Sequence, residues 1–159
     1  MLMSVCRRYA RDDAMAQDVL QETLIRIFEN IDRYEPKGSF EAWMRRIAVR
    51  RSLQWLEKGS FQHELQPVDM PEENFEEPAI YSQMGAEEIM VLLKELPEGF
   101  RTVFNLYVVE GYSHQEIATL LDITESTSRS QLMRARKLLQ EKIIHLKKTS
   151  RYEVAIVRK

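Results

Sequence analysis

Apolar positions recur along this chain at three- and four-residue intervals, which predicts helices nearly throughout. From Asp13 to about Asp32, the residues Leu20, Leu24, Ile27, Phe28 and Ile31 fall at i, i+4, i+7, i+8 and i+11. They form one face of a helix that Asp13 can cap. Asp18, Gln21, Glu22, Arg26 and Glu29 occupy the opposite face. A turn follows at Glu35-Pro36-Lys37-Gly38, and Ser39 can cap a second long helix, FEAWMRRIAVRRSLQWLEK. At about 100° per residue, Phe40, Met44, Ile47, Ala48 and Trp55 point toward a core. Trp43, Arg46, Arg50 and Gln54 fall on a neighbouring stripe.

The helical repeat then stops. The segment GSFQHELQPVDMPEENFEEPAIYSQMG holds Pro67, Pro71 and Pro78 and reads as an extended linker. Periodicity resumes from Ala86 to Glu95, breaks at Leu96-Pro97, and restarts with Pro97 at the first helical position. Phe100, Val103, Phe104, Tyr107 and Val108 share a face of that helix, which ends at Gly111. Ser113 and Glu116 then make a capping box, in which each side chain satisfies a backbone N–H of the other's turn. Ile117, Ala118, Leu120 and Leu121 give the next apolar face; the chain breaks at Asp122-Ile123, and Thr124 caps a last helix with Leu132 and Leu139 in the core. The expectation is an all-α chain with a helical domain over 1–58, a linker over 59–85, a four-helix domain over 86–148 and a tail over 149–159 without a clear pattern.

Composition narrows the class. The 159 residues are 44% hydrophobic with only five Gly and five Pro, enough for one medium or two small helical domains. No apolar run approaches the ~20 residues of a membrane span, and MLMSVCRRYARDD has no stretch suited to a signal peptide. Cys6 is the single cysteine, so it forms no internal disulfide, and a cytoplasmic location is expected. Cys6 itself reads as a small buried apolar residue. The net charge of −2 conceals an uneven distribution: +2 over residues 1–58, −8 over 59–88 and +4 over 89–159. Between Thr124 and Lys148 seven bases stand against two acids.

Two patterns carry chemistry. The last helix presents Ser126, Thr127, Ser128, Arg129, Ser130, Gln131, Arg134, Arg136 and Lys137. Hydroxyls and amides for base edges, followed by cations for phosphates, suit a helix entering the major groove. The same pair of helices also fits an all-α protein that never meets DNA. The stripe Trp43, Arg46, Arg50 and Gln54 interleaves a ring with guanidinium groups and an amide, a surface suited to unpaired nucleic acid. A half-buried core Trp beside solvated arginines has the same pattern. Catalysis finds little support: His63, His114 and His145 are scattered outside any metal-ligand spacing, and no phosphate loop or nucleophile elbow occurs. No cofactor, metal or small-molecule substrate is expected.

Three stretches in order, DDAMAQDVLQETLIRIFENIDRY, GSFEAWMRRIAVRRSLQWL and LPEGFRTVFNLYVVEGYSHQEIATLLDITESTSRSQLMRARKLL, resemble the extracytoplasmic-function (ECF) group of bacterial sigma factors. The resemblance covers about residues 5–145 and implies a sigma region 2 helical bundle and a region 4 helix-turn-helix domain. It implies core RNA polymerase as partner, through the β′ clamp coiled coil and the β flap, with Asp18, Gln21 and Glu22 docking on the clamp. Promoter DNA is the second partner. Trp43, Arg46, Arg50 and Gln54 match positions facing the −10 element. Ser126, Thr127, Arg129, Ser130, Gln131, Met133, Arg134 and Lys137 belong to the −35 reading helix. Arg50 stands where Asn is usual; Arg offers only donors, so base preference at −10 should differ. Gln131 stands where many members have Arg, which trades a guanine or phosphate contact for an amide suited to adenine. The acidic linker matches the segment threaded into the RNA-exit path. An anti-sigma protein, which can be membrane-bound, is the further partner implied. The chain also looks a turn or two of helix short at its front. Two other readings fit the residues: a stand-alone dimeric helix-turn-helix regulator, and a helical adaptor that binds only protein.

Overall fold

The computed structural model describes the backbone of residues 1–57 and 86–157, and side chains as far as Leu146. Among these residues the structure is helical, with no strand. α1 (Leu2–Tyr9), α2 (Asp13–Glu29) and α3 (Phe40–Glu57) form the N-terminal unit. A single 3-10 turn, Ile31–Arg33, follows α2. The C-terminal unit holds α4 (Ala86–Lys94), α5 (Glu98–Phe104), α6 (His114–Leu121) and α7 (Glu125–Val157). The linker assigned to 59–85 lies outside the described residues.

Helix boundaries follow local chemistry. Asp12, rather than Asp13, caps α2 by accepting from the Met15 N–H at 2.8 Å. The capping box on α6 forms in full: the Ser113 hydroxyl accepts from the Glu116 N–H, and the Glu116 carboxylate accepts from the Ser113 N–H at 2.8 Å. The Ser113 N–H and the Ser113 hydroxyl, both donating to the anion, hold the Glu116 carboxyl below its ordinary range. Asp122 takes a left-handed φ of 53° to end α6. Thr124 then caps α7 by accepting from the Thr127 N–H at 3.0 Å. α7 does not stop at residue 148; its backbone stays helical through Val157, so the tail continues the last helix.

Two predicted core faces are rotated in the fold. On α2 the buried residues are Ala16, Val19, Thr23 and Ile27, whereas Leu24, Phe28 and Ile31 are exposed. Small side chains let α2 approach α1 and α3 closely, and the Thr23 hydroxyl donates to the Val19 carbonyl at 2.7 Å, so its burial is compensated. The larger apolar residues consequently face outward. On α3 the core is Ala48, Val49, Ser52, Leu53 and Leu56, while Phe40 is exposed and Met44, Ile47 and Trp55 are half-buried. α3 must satisfy α1 and α2 on one side and the C-terminal unit on the other, which moves its buried arc.

The helix predicted from Pro97 to Gly111 changes pitch midway. Asn105–Val109 form a π-turn, with the Glu110 N–H donating to the Asn105 carbonyl at 2.9 Å. Val103 and Phe104 are buried as expected, but Tyr107 and Val108 are swung into solvent. A turn bonded from i to i+5 brings Asn105 and Glu110 to one side, against the end of α1. The Asn105 amide donates to the Arg8 carbonyl at 3.1 Å, and Glu110 pairs with the Arg8 guanidinium. Arg11 adds a two-pronged contact to Glu98, at 3.1 and 3.0 Å. Around this joint one apolar cluster runs from Val5, Tyr9, Val49 and Leu53 into Leu93, Leu106, Ile117 and Leu139. The two units therefore share a core, where the sequence suggests two separate ones. A smaller cluster of Cys6, Ala10, Ala16 and Val19 belongs to the N-terminal unit alone, and burial pushes the Cys6 thiol pKa up.

Candidate nucleic-acid interface and docking face

The exposed side of α7 carries Ser126, Arg129, Ser130, Met133, Arg134 and Lys137 at i, i+3, i+4, i+7, i+8 and i+11, all exposed or half-buried. This is one continuous helical face. Arg129 pairs with Glu125 one turn earlier at 2.8 Å, and both stay at the surface. The Ser130 hydroxyl donates to the Thr127 carbonyl at 3.0 Å. Thr127 and Gln131 do not belong to this face: they are 3% and 1% exposed. With Ser128, Leu132 and Ala135 they form the side of α7 that packs inward. The adenine contact expected of Gln131 is therefore withdrawn, as is a base contact by Thr127, because neither side chain reaches solvent. Thr127 instead shares a hydrogen bond with Thr124 in the cap.

The N-terminal unit holds a groove lined by Trp43, Ile47, Arg50, Arg51 and Gln54 from α3, Arg26 and Asn30 from α2, and Arg33 from the 3-10 turn. Trp43, Arg50 and Gln54 come together as expected. Arg46 does not join them. It lies about 60° round the helix and faces a second groove, shared with Arg45, whose far wall is Glu110, Tyr112 and Glu116 of the C-terminal unit. Phe40 stacks on Trp43 at 5.5 Å and 21°, and Tyr34 sits edge-on to Phe40 at 5.0 Å. These rings hold the indole at the groove mouth. The sequence reading missed Arg26, Asn30, Arg33 and Arg51. Their signal was present, since Arg26, Asn30 and Arg33 follow at i, i+4 and i+7. The groove thus concentrates four guanidinium groups beside an aromatic ring, a surface able to hold a phosphate backbone and stack an unpaired base.

A different surface lies along α2. Asp18, Gln21 and Ile25 are exposed in sequence with Leu24 and Phe28, and Phe28 is 74% exposed. Their angular spread is about a third of the helix circumference. Exposed apolar side chains grouped in this way, rimmed by polar ones, mark a protein-binding surface. Glu22 behaves differently from Asp18 and Gln21. Its carboxylate accepts from the Trp55 indole N–H at 3.0 Å and lies 3.9 Å from the Arg51 guanidinium. It ties α2 to α3, and so fixes the wall of the arginine groove.

Comparison with known proteins agrees with this organisation. Residues 1–61 match the family described as Sigma-70 region 2, and residues 86–139 match Sigma-70, region 4. The chain is 35% identical over 132 residues to the ECF RNA polymerase sigma factor SigE of Mycolicibacterium smegmatis, covering 79% of this chain and 51% of that one. It spans, then, about half the length of that curated relative. It is 30% identical over 138 residues to the ECF RNA polymerase sigma-E factor of Salmonella typhimurium, covering 79% of this chain and 72% of the relative. Among solved structures, the sigma factor RpoE in complex with the anti-sigma factor NepR from Bartonella quintana shares the fold, at a TM-score of 0.57 and 23% identity, over 91% of this chain and 89% of that one. CnrH in complex with the cytosolic domain of CnrY superposes at a TM-score of 0.51 and 21% identity, over 91% and 80% of the two chains. With two region matches in order and a 30%-identical relative covered over most of its length, the chain belongs to the ECF group of the sigma-70 family of RNA polymerase sigma factors.

Proposed function

We propose that this protein binds core RNA polymerase and directs it to a defined set of promoters, with the N-terminal unit engaging the −10 element and α7 reading the −35 element. The observation that carries this reading is the pairing, on one chain, of an exposed basic helix face and a separate arginine-and-tryptophan groove. A duplex reader needs the first and a single-strand holder needs the second. The −35 set is Ser126, Arg129, Ser130, Met133, Arg134 and Lys137. The −10 set is Trp43, Arg50 and Gln54 with Arg26, Asn30, Arg33 and Arg51; Arg46 stands apart from it on α3. Asp18 and Gln21, extended by Leu24, Ile25 and Phe28, form the polymerase-docking face. The functional units are residues 1–58 and 86–148, joined by the acidic linker 59–85, which occupies the RNA-exit path. The tail 149–159 is not assigned a role. Catalysis belongs to the polymerase, and the protein works in the cytoplasm. No described helix is long and apolar enough to cross a membrane. The Bartonella quintana sigma factor of similar fold is in complex with an anti-sigma factor, and a regulator of that kind is proposed here too.

The two promoter elements lie about 25 base pairs apart, roughly 85 Å at 3.4 Å per pair. A compact 159-residue chain has a radius of gyration of only about 15 Å. Contact with both elements therefore requires the shared core to part. Mixing the full chain with core polymerase and weighing the complex under native conditions tests the reading: a 1:1 complex supports it, and a free monomer or a dimer overturns it.

Three substitutions check the DNA surfaces. Arg134→Ala and Arg129→Ala should each weaken −35 duplex binding by about 1–3 kcal/mol where a base contact is lost, measured by fluorescence anisotropy on the polymerase-bound protein. Unchanged affinity in both would remove α7 from the reading. Trp43→Ala should leave polymerase capture intact and reduce promoter opening, followed by permanganate reactivity of unpaired thymines. The half-buried Trp43 ring packs on Tyr34 and Phe40 and belongs to neither buried core cluster, so its removal should leave the helix bundle folded.

A further inference from the structure

His114 lies outside every surface assigned above, yet it joins three elements. It is the first residue of α6. Its Nδ1 is 2.9 Å from the hydroxyl of Ser128, in the opening turns of α7. Its ring stacks on Tyr107 of the π-turn, with centroids 4.5 Å apart and planes at 22°. Ser128 is completely buried, so its hydroxyl is held where solvent does not compete. The imidazole pKa is lowered by burial and by the nearby Arg129 and Arg136, against an opposing pull from Glu125. The ring is accordingly neutral at pH 7, with one nitrogen accepting and one donating.

Much of the α6–α7 joint is apolar contact, made by Ile117, Leu121, Leu132 and Ala135. Such attraction is non-directional and permits one helix to roll on another. A hydrogen bond weakens steeply with misalignment and does not. A roll of about 10° moves side-chain tips by about 1 Å at a radius of 5–6 Å, enough to spoil a bidentate base contact.

We propose that His114 is a positioning residue for the recognition helix: through Ser128 it fixes the rotation of α7 about its own axis, and so sets which base edges Arg129, Ser130 and Arg134 can reach. This rests on the reading of α7 as the −35 helix. Helix rotation governs base contacts far more than it governs attraction to phosphates, which is long-ranged and tolerant of geometry. Loss of the bond therefore lowers sequence preference while general DNA affinity stays.

The test uses the full chain with core polymerase. A duplex pool randomised over about ten positions, one helical turn, is selected on the wild type. Affinities for the enriched duplex and for an unrelated duplex are then measured for His114→Phe, His114→Asn and Ser128→Ala. His114→Phe keeps a ring on Tyr107 but leaves the buried Ser128 hydroxyl without this partner, so it should melt a few degrees lower while remaining folded. It should lose about tenfold of the preference, with affinity for the unrelated duplex and its salt dependence unchanged. Ser128→Ala should do the same, and the double variant should lose no more than either alone. His114→Asn, whose amide reaches the place of Nδ1, should recover the preference. Full preference in His114→Phe overturns the proposal, as does a loss of both affinities in step with a lower melting temperature. If His114→Phe does not fold, Ser128→Ala decides by the same criteria. If the wild type enriches no sequence, the assignment of α7 fails and the positioning role with it. If the wild type enriches one and the variants keep it, only the positioning role fails.

Discussion

Glu110→Ala should part the two units and tighten binding to core polymerase by one to two orders of magnitude. The Glu110 side chain is 1% exposed and pairs with Arg8, itself 13% exposed. Removing one partner of a buried ion pair costs about 3–5 kcal/mol, because the other charge is left without compensation. Here the structure has an escape: separating the units returns Arg8 to water, and each unit keeps its own packed helices. The joint is already expensive in polar terms. The Tyr9 hydroxyl, Arg8 Nε, Asn105 Oδ1 and Thr102 Oγ1 are buried without a protein hydrogen-bond partner among the described residues, at about 1–3 kcal/mol for each such group. Opening hydrates all of them. If polymerase accepts only the open form, its apparent affinity is reduced by the fraction that is closed, and weakening the joint removes that penalty. Small-angle scattering should show the variant several ångströms larger in radius of gyration than the compact value of about 15 Å. Arg8→Ala should match it, and the double variant should add nothing. A variant that melts earlier but stays compact would show that the pair contributes stability without holding the units together.

Phe28→Ala should weaken capture of core polymerase by about 30-fold or more, with little change in folding stability. At 74% exposed, Phe28 contributes almost nothing to the core, and surface substitutions of this kind stay within about ±0.5 kcal/mol. An aromatic residue at the centre of an interface costs about 2 kcal/mol or more on truncation, which is that 30-fold. Leu24 and Ile25 flank it at 40% and 56% exposure, and Gln21 and Asp18 complete the face. The measurement is a polymerase pull-down titration with a parallel thermal melt. Unchanged affinity would place the docking face elsewhere on the N-terminal unit. Lost affinity together with a collapsed melting curve would instead return Phe28 to the core role that its spacing suggests.

That contrast shows where sequence reasoning stopped. The pattern Leu20, Leu24, Ile27, Phe28 and Ile31 is a clean apolar face, and periodicity correctly made it a helix. Periodicity does not say which apolar arc meets the rest of the chain. A bundle can bury a small-residue arc for close approach and leave a large one for a partner, and α2 does this. The same limit acted on α7: Thr127 and Gln131 are polar like Ser126 and Ser130, but their azimuth turns them inward. Arg46 left the Trp43 stripe for a similar reason, as a shift of one step round α3 carries it from one groove to another.

Local interactions needed no such information. The capping box of Ser113 and Glu116, the break at Asp122, the Thr124 cap, and the burial of Leu132 and Leu139 were all legible from neighbours within a turn or from unambiguous periodicity. The family motifs were legible too, being runs of residue types at fixed spacing. What only the tertiary structure decided depends on residues distant in sequence: the joint of Arg8 with Asn105 and Glu110, the shared core, and the pairing of Glu22 with Trp55. The π-turn belongs to this group, because its i to i+5 bond breaks the α-helical register to reach α1. The sequence by itself determined most of the helices, the caps at Ser113 and Thr124, and the family motifs. The packing determined which faces those helices show to DNA and to polymerase, because a helix face gains its meaning only from what covers the opposite side.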